Sequence, residues 1–204
     1  LKQGNPVLIS GAAGVGKTAL AATLASAYSQ QPGGVLWMNV NNPRLEELLV
    51  RVGRAYNVTE ITNSDNPVGM IGAVENTLSQ HKPLIVIDGQ ISADVATRFT
   101  TRCVNNLPMM IVNEQKLDGP WAALEMPPLA PADAMALFKQ EARIADNASD
   151  GDVQKITTQV SNMPLGVIVA AKAMLASKQP PADYANILAQ VAQSTGATGS
   201  VVAL

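Results

Sequence analysis

Short, uninterrupted apolar runs mark the first half of the chain, and longer segments with helical character separate them. Four such runs, at residues 6–10, 35–40, 84–88 and 109–113, lack the strict alternation of apolar and polar positions that a half-exposed strand would show. Runs of this kind are typical of strands that are covered on both faces. Their alternation with helical segments predicts an α/β fold in which right-handed crossovers join parallel strands.

Helix starts are marked twice by an Asn-Pro pair, at Asn42-Pro43 and at Asn66-Pro67. Asn can cap the first turn of a helix, and Pro fits there because its missing N–H would have no helical partner. The polar segment 57–65 between these two helices is predicted to be a loop. The predicted helices of this half cover residues 17–29, the segment after Asn42-Pro43, the segment from Asn66-Pro67 to about 80, and residues 93–105.

The pattern changes after Pro127-Pro128. Four helical segments follow with no strand-like run between them, at residues 131–144, 150–161, 165–176 and 183–193. We therefore predict an α/β domain at residues 1–128 and a small all-helical domain at 129–193, with a linker or the start of a further element at 194–204. The chain starts at Leu1 and stops in an apolar stretch, so we expect it to be a fragment of a longer protein.

Composition narrows the range of function classes. Apolar residues make up 47% of the 204 positions and charged residues 15%, which indicates a folded chain with a sizeable core. The net charge is −2, aromatic residues are 3%, and Lys and Arg form no run, so we expect no nucleic-acid partner. No apolar run is long enough to cross a bilayer, so we expect no membrane partner. The single Cys103 fits a reducing, cytoplasmic location.

The stretch GAAGVGKTAL, between the first predicted strand and the first predicted helix, has the spacing G-x-x-x-x-G-K-T. Glycines let a backbone wrap around an anion at positive φ, and the N–H groups at a helix start then face the phosphates. A Lys reaches the terminal phosphates and a hydroxyl binds Mg²⁺. The strand before and the helix after the stretch make a chance match rare. The predicted nucleotide-binding residues here are Gly11, Ala12, Ala13, Gly14, Val15, Gly16, Lys17, Thr18 and Ala19.

A second part of the site is predicted where the third apolar run ends in Asp88. Its carboxylate would hold a water on the Mg²⁺ that Thr18 ligates directly, so Thr18 and Asp88 are the candidate metal ligands. Lys17 and Asp88 are the candidate catalytic residues. The alternative is that Asp88 caps the following loop. Asn113, at the end of the fourth run, either faces the γ-phosphate or serves as a turn residue.

In their order along the chain, these segments resemble the nucleotide-binding module of the STAND signal-transduction ATPases, which include NB-ARC and apoptotic ATPases. The phosphate loop and the LIVID run are common to P-loop proteins, but two helical stretches are more specific. MPPLAPADAMALF at 126–138 is similar to the family's L-x-P-L…A…L-F stretch, and NMPLG at 162–166 is similar to its G-L-P-L motif. The resemblance implies a five-stranded parallel sheet of order 2-3-4-1-5, with a short fifth strand near 124–126, followed by a small helical domain.

The same resemblance implies the ligand and the mode of action. Pro164 would lie against the adenine, and the cofactors would be ATP or ADP with Mg²⁺. The module would hold ADP at rest and ATP when active, and it would form a homo-oligomer in the ATP-bound state. The sensor and effector domains would lie outside this chain.

Three positions depart from the family's pattern. Gly89 and Gln90 follow Asp88, where members usually carry a second acid that helps to activate water. Glu114 follows Asn113, where members tend to carry an Arg that senses the γ-phosphate. Losing a cation that stabilises the transition state can lower the rate by on the order of 10³ or more. We therefore expect hydrolysis to be very slow or absent, with Gln90 as a candidate for positioning water.

Two other function classes stay open. A turnover enzyme of the P-loop class, such as an ATPase or a small-molecule kinase, is disfavoured by the missing second acid and by the lack of a sequence signal for an acceptor pocket. A DNA-loading initiator ATPase is disfavoured by the charge balance and by the lack of a basic recognition helix.

Overall fold

A computed structural model describes residues 5–64, 66–144 and 150–195, with side chains as far as residue 193. The predicted linker at 194–204 lies almost entirely outside the described residues. Contacts divide the chain into two compact units. One consists of Leu1–Ala12 with Lys17–Met126, and the other of Ala13–Gly16 with Pro127–Leu204.

The first unit contains a parallel five-stranded sheet. Its strands are β1 (Val7–Ser10), β2 (Val35–Asn41), β3 (Leu84–Gln90), β4 (Met109–Val112) and β5 (Ala122–Glu125). They lie in the order β2-β3-β4-β1-β5, and each neighbouring pair is parallel. The predicted α/β P-loop architecture and its strand order are therefore confirmed.

Helices connect the first four strands in turn. They are α1 (Lys17–Tyr28), α2 (Leu45–Ala55), α3 (Thr59–Thr62), α4 (Pro67–His81) and α5 (Ala93–Phe99), and α5 continues into a π-helical turn at Thr100–Val104. The π-helical turn corrects the prediction of one uninterrupted helix over 93–105. Helix α3 corrects the loop predicted at 57–65. The apolar Ile61 is fully buried there and packs against Gly53, where an added Cβ would lie 2.8 Å from the Cβ of Ile61.

The two Asn-Pro pairs have different structures. Asn66 caps α4 as predicted, because its Oδ1 accepts a hydrogen bond from the N–H of Val68 at 3.1 Å. The predicted cap at Asn42 is wrong, since α2 begins only at Leu45 and has no side-chain cap. Asn42 instead takes a φ of 47°, and its Nδ2 donates to Oε1 of Gln90 at 3.2 Å. The backbone N–H of Asn42 also donates to the carbonyl of Gln90 at 2.8 Å, so a contact with β3 replaces the cap.

Side chains along β1 to β4 alternate between two hydrophobic clusters, one on each face of the sheet, whereas the residues of β5 are exposed. Leu84 and Val86 of β3 belong to the cluster that includes Ala21 and Ala25 of α1, whereas Ile85 and Ile87 belong to the cluster on the other face. Fully burying a side chain of the size of Leu or Ile stabilises the folded state by about 1.5–3 kcal/mol. The alternation also places the residue after Ile87, which is Asp88, on the α1 face.

The second unit is helical and has its own core. Its helices are α6 (Pro131–Ala142), α7 (Asp150–Gln159), α8 (Pro164–Ser177) and α9 (Pro181–Thr195). Helix α6 packs on α8 and α7 packs on α9, with Phe138 fully buried between them. Within this unit the N–H of Leu165 donates to the carbonyl of Gly14 at 3.1 Å. None of the described helices of either unit combines the length and the apolar character that crossing a membrane requires.

Candidate nucleotide-binding site

The loop between β1 and α1 depends on glycine at three places. Gly11, Gly14 and Gly16 have φ values of 145°, 79° and 99°, which side-chain-bearing residues rarely adopt. The N–H of Gly11 donates to the carbonyl of Glu114 at 3.3 Å, which anchors the start of the loop next to the end of β4. Of the other predicted loop residues, Val15 is buried, and Ala12, Ala13 and Ala19 are exposed.

Lys17, the first residue of α1, is only 9% exposed. Its Nζ donates to the carbonyl oxygens of Gly11 at 2.8 Å and Ala12 at 2.9 Å. Among the described residues, no carboxylate forms an ion pair with it. A buried cation that only neutral carbonyls solvate is unfavourable. An ammonium group has three protons, so one more is available for an anionic ligand.

Thr18 and Asp88 meet although 70 residues separate them in the sequence. The hydroxyl of Thr18 donates to Oδ1 of Asp88 at 3.1 Å. Asp88 lies on β3 beside Asn39 of β2 and Val112 of β4, and it is half-buried. The structure thus brings together the two residues that the sequence predicts as metal ligands.

These two oxygen-bearing side chains suit Mg²⁺ in particular. A hydroxyl and a carboxylate are hard oxygen ligands, and Mg²⁺ is usually held by one or two protein groups together with phosphate oxygens and waters. In the part of the chain that the structure describes, no group of three or more His, Cys, Asp or Glu could hold a metal ion. The hydroxyl of Thr18 and the carboxylate of Asp88 fit a magnesium ion that phosphate oxygens and waters would also ligate.

Asn113 is buried directly after β4, with 4% of its surface exposed. Its Oδ1 accepts a long hydrogen bond from the N–H of Ile91 at 3.4 Å, and its Nδ2 donates to the carbonyl of Gln115 at 2.8 Å. The side-chain amide thus ties the end of β3 to the loop after β4. Both ends of the amide have a protein partner, as in a turn residue, but Nδ2 keeps a second proton. The contact of Asn113 with the γ-phosphate therefore stays a prediction.

The family follows from the sequence around this site. A model of the AAA domain family matches residues 1–109, slightly more than half of the chain. The chain belongs to the AAA domain family. The match includes the phosphate loop, β2 and β3, and it ends at the first residue of β4. No protein of curated function matches the sequence.

Solved structures share the fold of this AAA domain at low sequence identity. A STAND protein with a tetratricopeptide repeat sensor, PH0952 from Pyrococcus horikoshii, is 15% identical with a TM-score of 0.61, over 85% of this chain and 28% of that one. The ORC2 protein of Aeropyrum pernix, in ADPNP–ADP complexes, is 16% identical with a TM-score of 0.59, over 91% and 61%. The ORC1 protein of Aeropyrum pernix, in complex with DNA, is 14% identical with a TM-score of 0.56, over 93% and 60%. The chain therefore spans less than two thirds of each of these proteins.

At Gly89, the residue after Asp88, this AAA domain has no room for a side chain. The φ of Gly89 is 124°, and a Cβ added to it would lie 2.0 Å from the carbonyl oxygen of Val40. A contact of that length is a severe overlap with backbone, so the position accepts no side chain without movement of β2 or β3. The next residue, Gln90, is exposed, and its Oε1 accepts the hydrogen bond from Asn42.

Glu114 belongs to the first unit and Pro164 to the second. Glu114 is exposed, and its carbonyl holds the N–H of Gly11, so an anionic residue lies at the start of the phosphate loop. Pro164 is the first residue of α8 in the second unit, where it is half-buried. Its predicted contact with adenine stays a prediction.

Sequence reasoning missed one polar residue beside Asp88. Asn39 of β2 pairs in register with Asp88, its side chain is exposed, and its Oδ1 accepts a hydrogen bond from Nε1 of Trp37 at 3.1 Å. The signal available in the sequence was a lone Asn within the apolar run VLWMNV. Its proximity to Asp88 depends on the register between β2 and β3, which the sequence alone leaves undetermined.

Proposed function

We propose that this chain binds an adenine nucleotide with Mg²⁺ at residues 11–18 and acts as a nucleotide-switched module of a signal-transduction ATPase. It holds ADP at rest and ATP when active, and the ATP-bound form assembles into a homo-oligomer. The observation that carries the proposal is Lys17, a buried cation with two carbonyl partners and no carboxylate partner in the part of the chain that the structure describes. An anion at the loop would neutralise the charge of Lys17. The AAA domain fold and the conformations of the loop glycines also support nucleotide binding at this loop.

Each residue of the site has a distinct role in this proposal. The backbone N–H groups of the loop and of the start of α1 bind the phosphates, because a helix start presents unpaired donors and the positive end of the helix dipole. Lys17 donates to the terminal phosphate oxygens. Thr18 and Asp88 would hold Mg²⁺, Thr18 through its hydroxyl oxygen and Asp88 through its carboxylate. When bound, Mg²⁺ would neutralise part of the negative charge of the phosphates and orient them.

Hydrolysis is slow in this proposal because two groups that would assist it are missing. No carboxylate can follow Asp88 without a clash, since Gly89 lies against the carbonyl of Val40. At the end of β4 the charged residue is the anionic Glu114, which repels developing negative charge instead of stabilising it. A site that binds well and hydrolyses poorly keeps its nucleotide, as a switch requires.

The switch acts through a difference in affinity. A γ-phosphate can bind two arrangements of the chain with different free energies. The difference between these two binding free energies is the most by which it can favour one arrangement over the other. ADP and ATP therefore stabilise different arrangements if only one of them accommodates the γ-phosphate. The sensor and effector domains of this proposal lie outside this chain, and so they supply the signal and the output.

A P-loop turnover enzyme is the alternative to the switch. The structural neighbours also include an ORC1 protein solved with DNA. The net charge of −2 and the lack of any run of Lys and Arg argue against a DNA partner. The resemblance to a STAND protein together with the obstructed position 89 supports the switch over both other functions.

The test is to purify the protein, denature it and identify any nucleotide that is released. Retained ADP, together with a turnover rate far below one per second with fresh ATP and Mg²⁺, would support the switch. Multiple turnovers at a rate on the order of one per second, typical of slow metabolic enzymes, would contradict it. Light scattering with ADP and with a non-hydrolysable ATP analogue then tests assembly, which we expect only with the analogue.

A further inference from the structure

Asn39 and Asp88 share one face of the sheet. They are direct partners in the parallel pair β2–β3, and adjacent strands lie about 4.8 Å apart. Trp37, two residues earlier on β2, belongs to the hydrophobic cluster on the α1 face, and so Asn39 also points to that face. Asp88 is on the same face, where its Oδ1 accepts the hydrogen bond from Thr18.

The orientation of the Asn39 amide is determined by its neighbours. The indole Nε1 of Trp37 can only donate, so the atom that it meets at 3.1 Å must be Oδ1. Nη1 of Arg51 donates to the backbone carbonyl of Asn39 at 2.7 Å, which holds the strand at this residue. The remaining group is Nδ2, which has two protons and no hydrogen-bond partner among the described residues.

We propose that Asn39 is a positioning residue for Asp88, whose carboxylate it holds through Nδ2 when the magnesium nucleotide is bound. This inference rests on the proposed function. The hydroxyl of Thr18 donates to Oδ1 of Asp88, and it can keep this hydrogen bond while its oxygen ligates Mg²⁺. One donor leaves the carboxylate free to turn, and Nδ2 of Asn39 would supply a second donor that fixes its direction. Metal-site carboxylates are generally held by such outer hydrogen bonds, and their loss lowers metal affinity by about 10–100-fold.

The variant that tests this role is Asn39→Ala. Asn39 is exposed and its side chain makes one hydrogen bond in the described structure, so we expect the variant to fold normally. Asn41→Ala is the matched control, because Asn41 is the same residue type on the same strand and face, is exposed, and pairs with Gln90 instead of Asp88. Trp37→Phe removes the donor that orients the amide and leaves Asn39 in place.

The measurement is ADP binding by calorimetry on protein from which any retained nucleotide has been removed, first in EDTA and then over a Mg²⁺ titration. We expect Asn39→Ala to raise the Mg²⁺ concentration needed for half-maximal tightening by about tenfold or more. Its ADP affinity in EDTA should match that of the unmodified protein. Trp37→Phe should shift the Mg²⁺ requirement in the same direction by less, and Asn41→Ala should leave it unchanged.

Two outcomes would overturn the role of Asn39. One is a Mg²⁺ requirement for Asn39→Ala equal to that of Asn41→Ala. The other is an equal loss of ADP affinity with and without Mg²⁺, which would mean that Asn39 contacts the nucleotide directly. Failure of the proposed function is a separate result, because the unmodified protein would then show no nucleotide binding under either condition.

Discussion

Gly89 of β3 lies so close to Val40 of β2 that a Cβ added to Gly89 would stand 2.0 Å from the carbonyl oxygen of Val40. The two residues are partners in the β2–β3 register, and Gly89 has a φ of 124°. The space that a side chain would need at the position after Asp88 is thus filled by the backbone of β2. A change of this residue to an acid would have to distort the sheet next to Asp88.

We therefore predict that Gly89→Asp destabilises the protein without creating an ATPase. Backbone strain at positive φ costs on the order of 1–3 kcal/mol, and the overlap adds to it, so we expect a loss of at least about 3 kcal/mol. Urea denaturation measures this loss. The control is Gly72→Ala on α4. A Cβ added at Gly72 meets nothing within 4 Å, so this change should stabilise the folded protein by about 0.5–1 kcal/mol. Faster hydrolysis in a stable Gly89→Asp protein would contradict this explanation.

Lys17→Met tests the role of the buried cation. The change removes a charge that no carboxylate of the described residues neutralises, so the ligand-free protein should be as stable as before or slightly more stable. It should lose the stabilisation by ADP, which for an intact site is about 2.7 kcal/mol at 100 times the dissociation constant. Thermal denaturation with and without magnesium ADP measures both effects. Lys155→Met, at an exposed lysine of the helical unit, should keep the full ADP response. An unchanged response in Lys17→Met would refute phosphate binding at this loop.

Asn113→Ala distinguishes the two roles that the sequence leaves open for Asn113. The buried amide holds Ile91 and Gln115, so its removal should cost about 1–3 kcal/mol of folding free energy. If Asn113 is a turn residue, the ratio of ATP to ADP affinity stays the same. A selective loss of ATP affinity would instead indicate a contact with the γ-phosphate. Asn76→Ala, on the exposed side of α4, should change neither quantity.

Cys103 offers a chemical probe of the fold. Burial raises the pKa of its thiol from 9.0 to about 12, and the Glu75 carboxylate adds to the rise. The folded state therefore favours the protonated thiol. This contribution to stability is fully present below pH 9 and is lost as the pH rises toward 12. We expect an aromatic disulfide reagent at pH 8 to label Cys103 only after denaturation in urea, and fast labelling of the native protein would contradict the described burial.

Much of the fold could be predicted because its determinants are local. The four apolar runs became β1 to β4, and the contiguous GAAGVGKT stretch became a loop with glycines at positive φ followed by α1. Asn66 and Pro67 likewise formed a capped helix start. In these cases the residues that interact are within a few positions of one another, so the sequence displays the interaction directly.

Other features depended on residues that are distant in the sequence. Asn42-Pro43 repeats the pair at Asn66-Pro67, yet Asn42 bonds Gln90 and caps nothing. Helix α3 lies in a polar segment, and its buried Ile61 packs against Gly53 of α2.

The sequence by itself determined the glycine-rich loop and the parallel α/β class, and it predicted Thr18 and Asp88 as magnesium ligands, since each follows from residue types and spacing over a few residues. Tertiary structure decided that Thr18 and Asp88 meet, why residue 89 must be Gly, and that Asn39 lies beside Asp88. The physical reason is that strand register and sheet order place side chains from different segments on one face. No local pattern encodes that register.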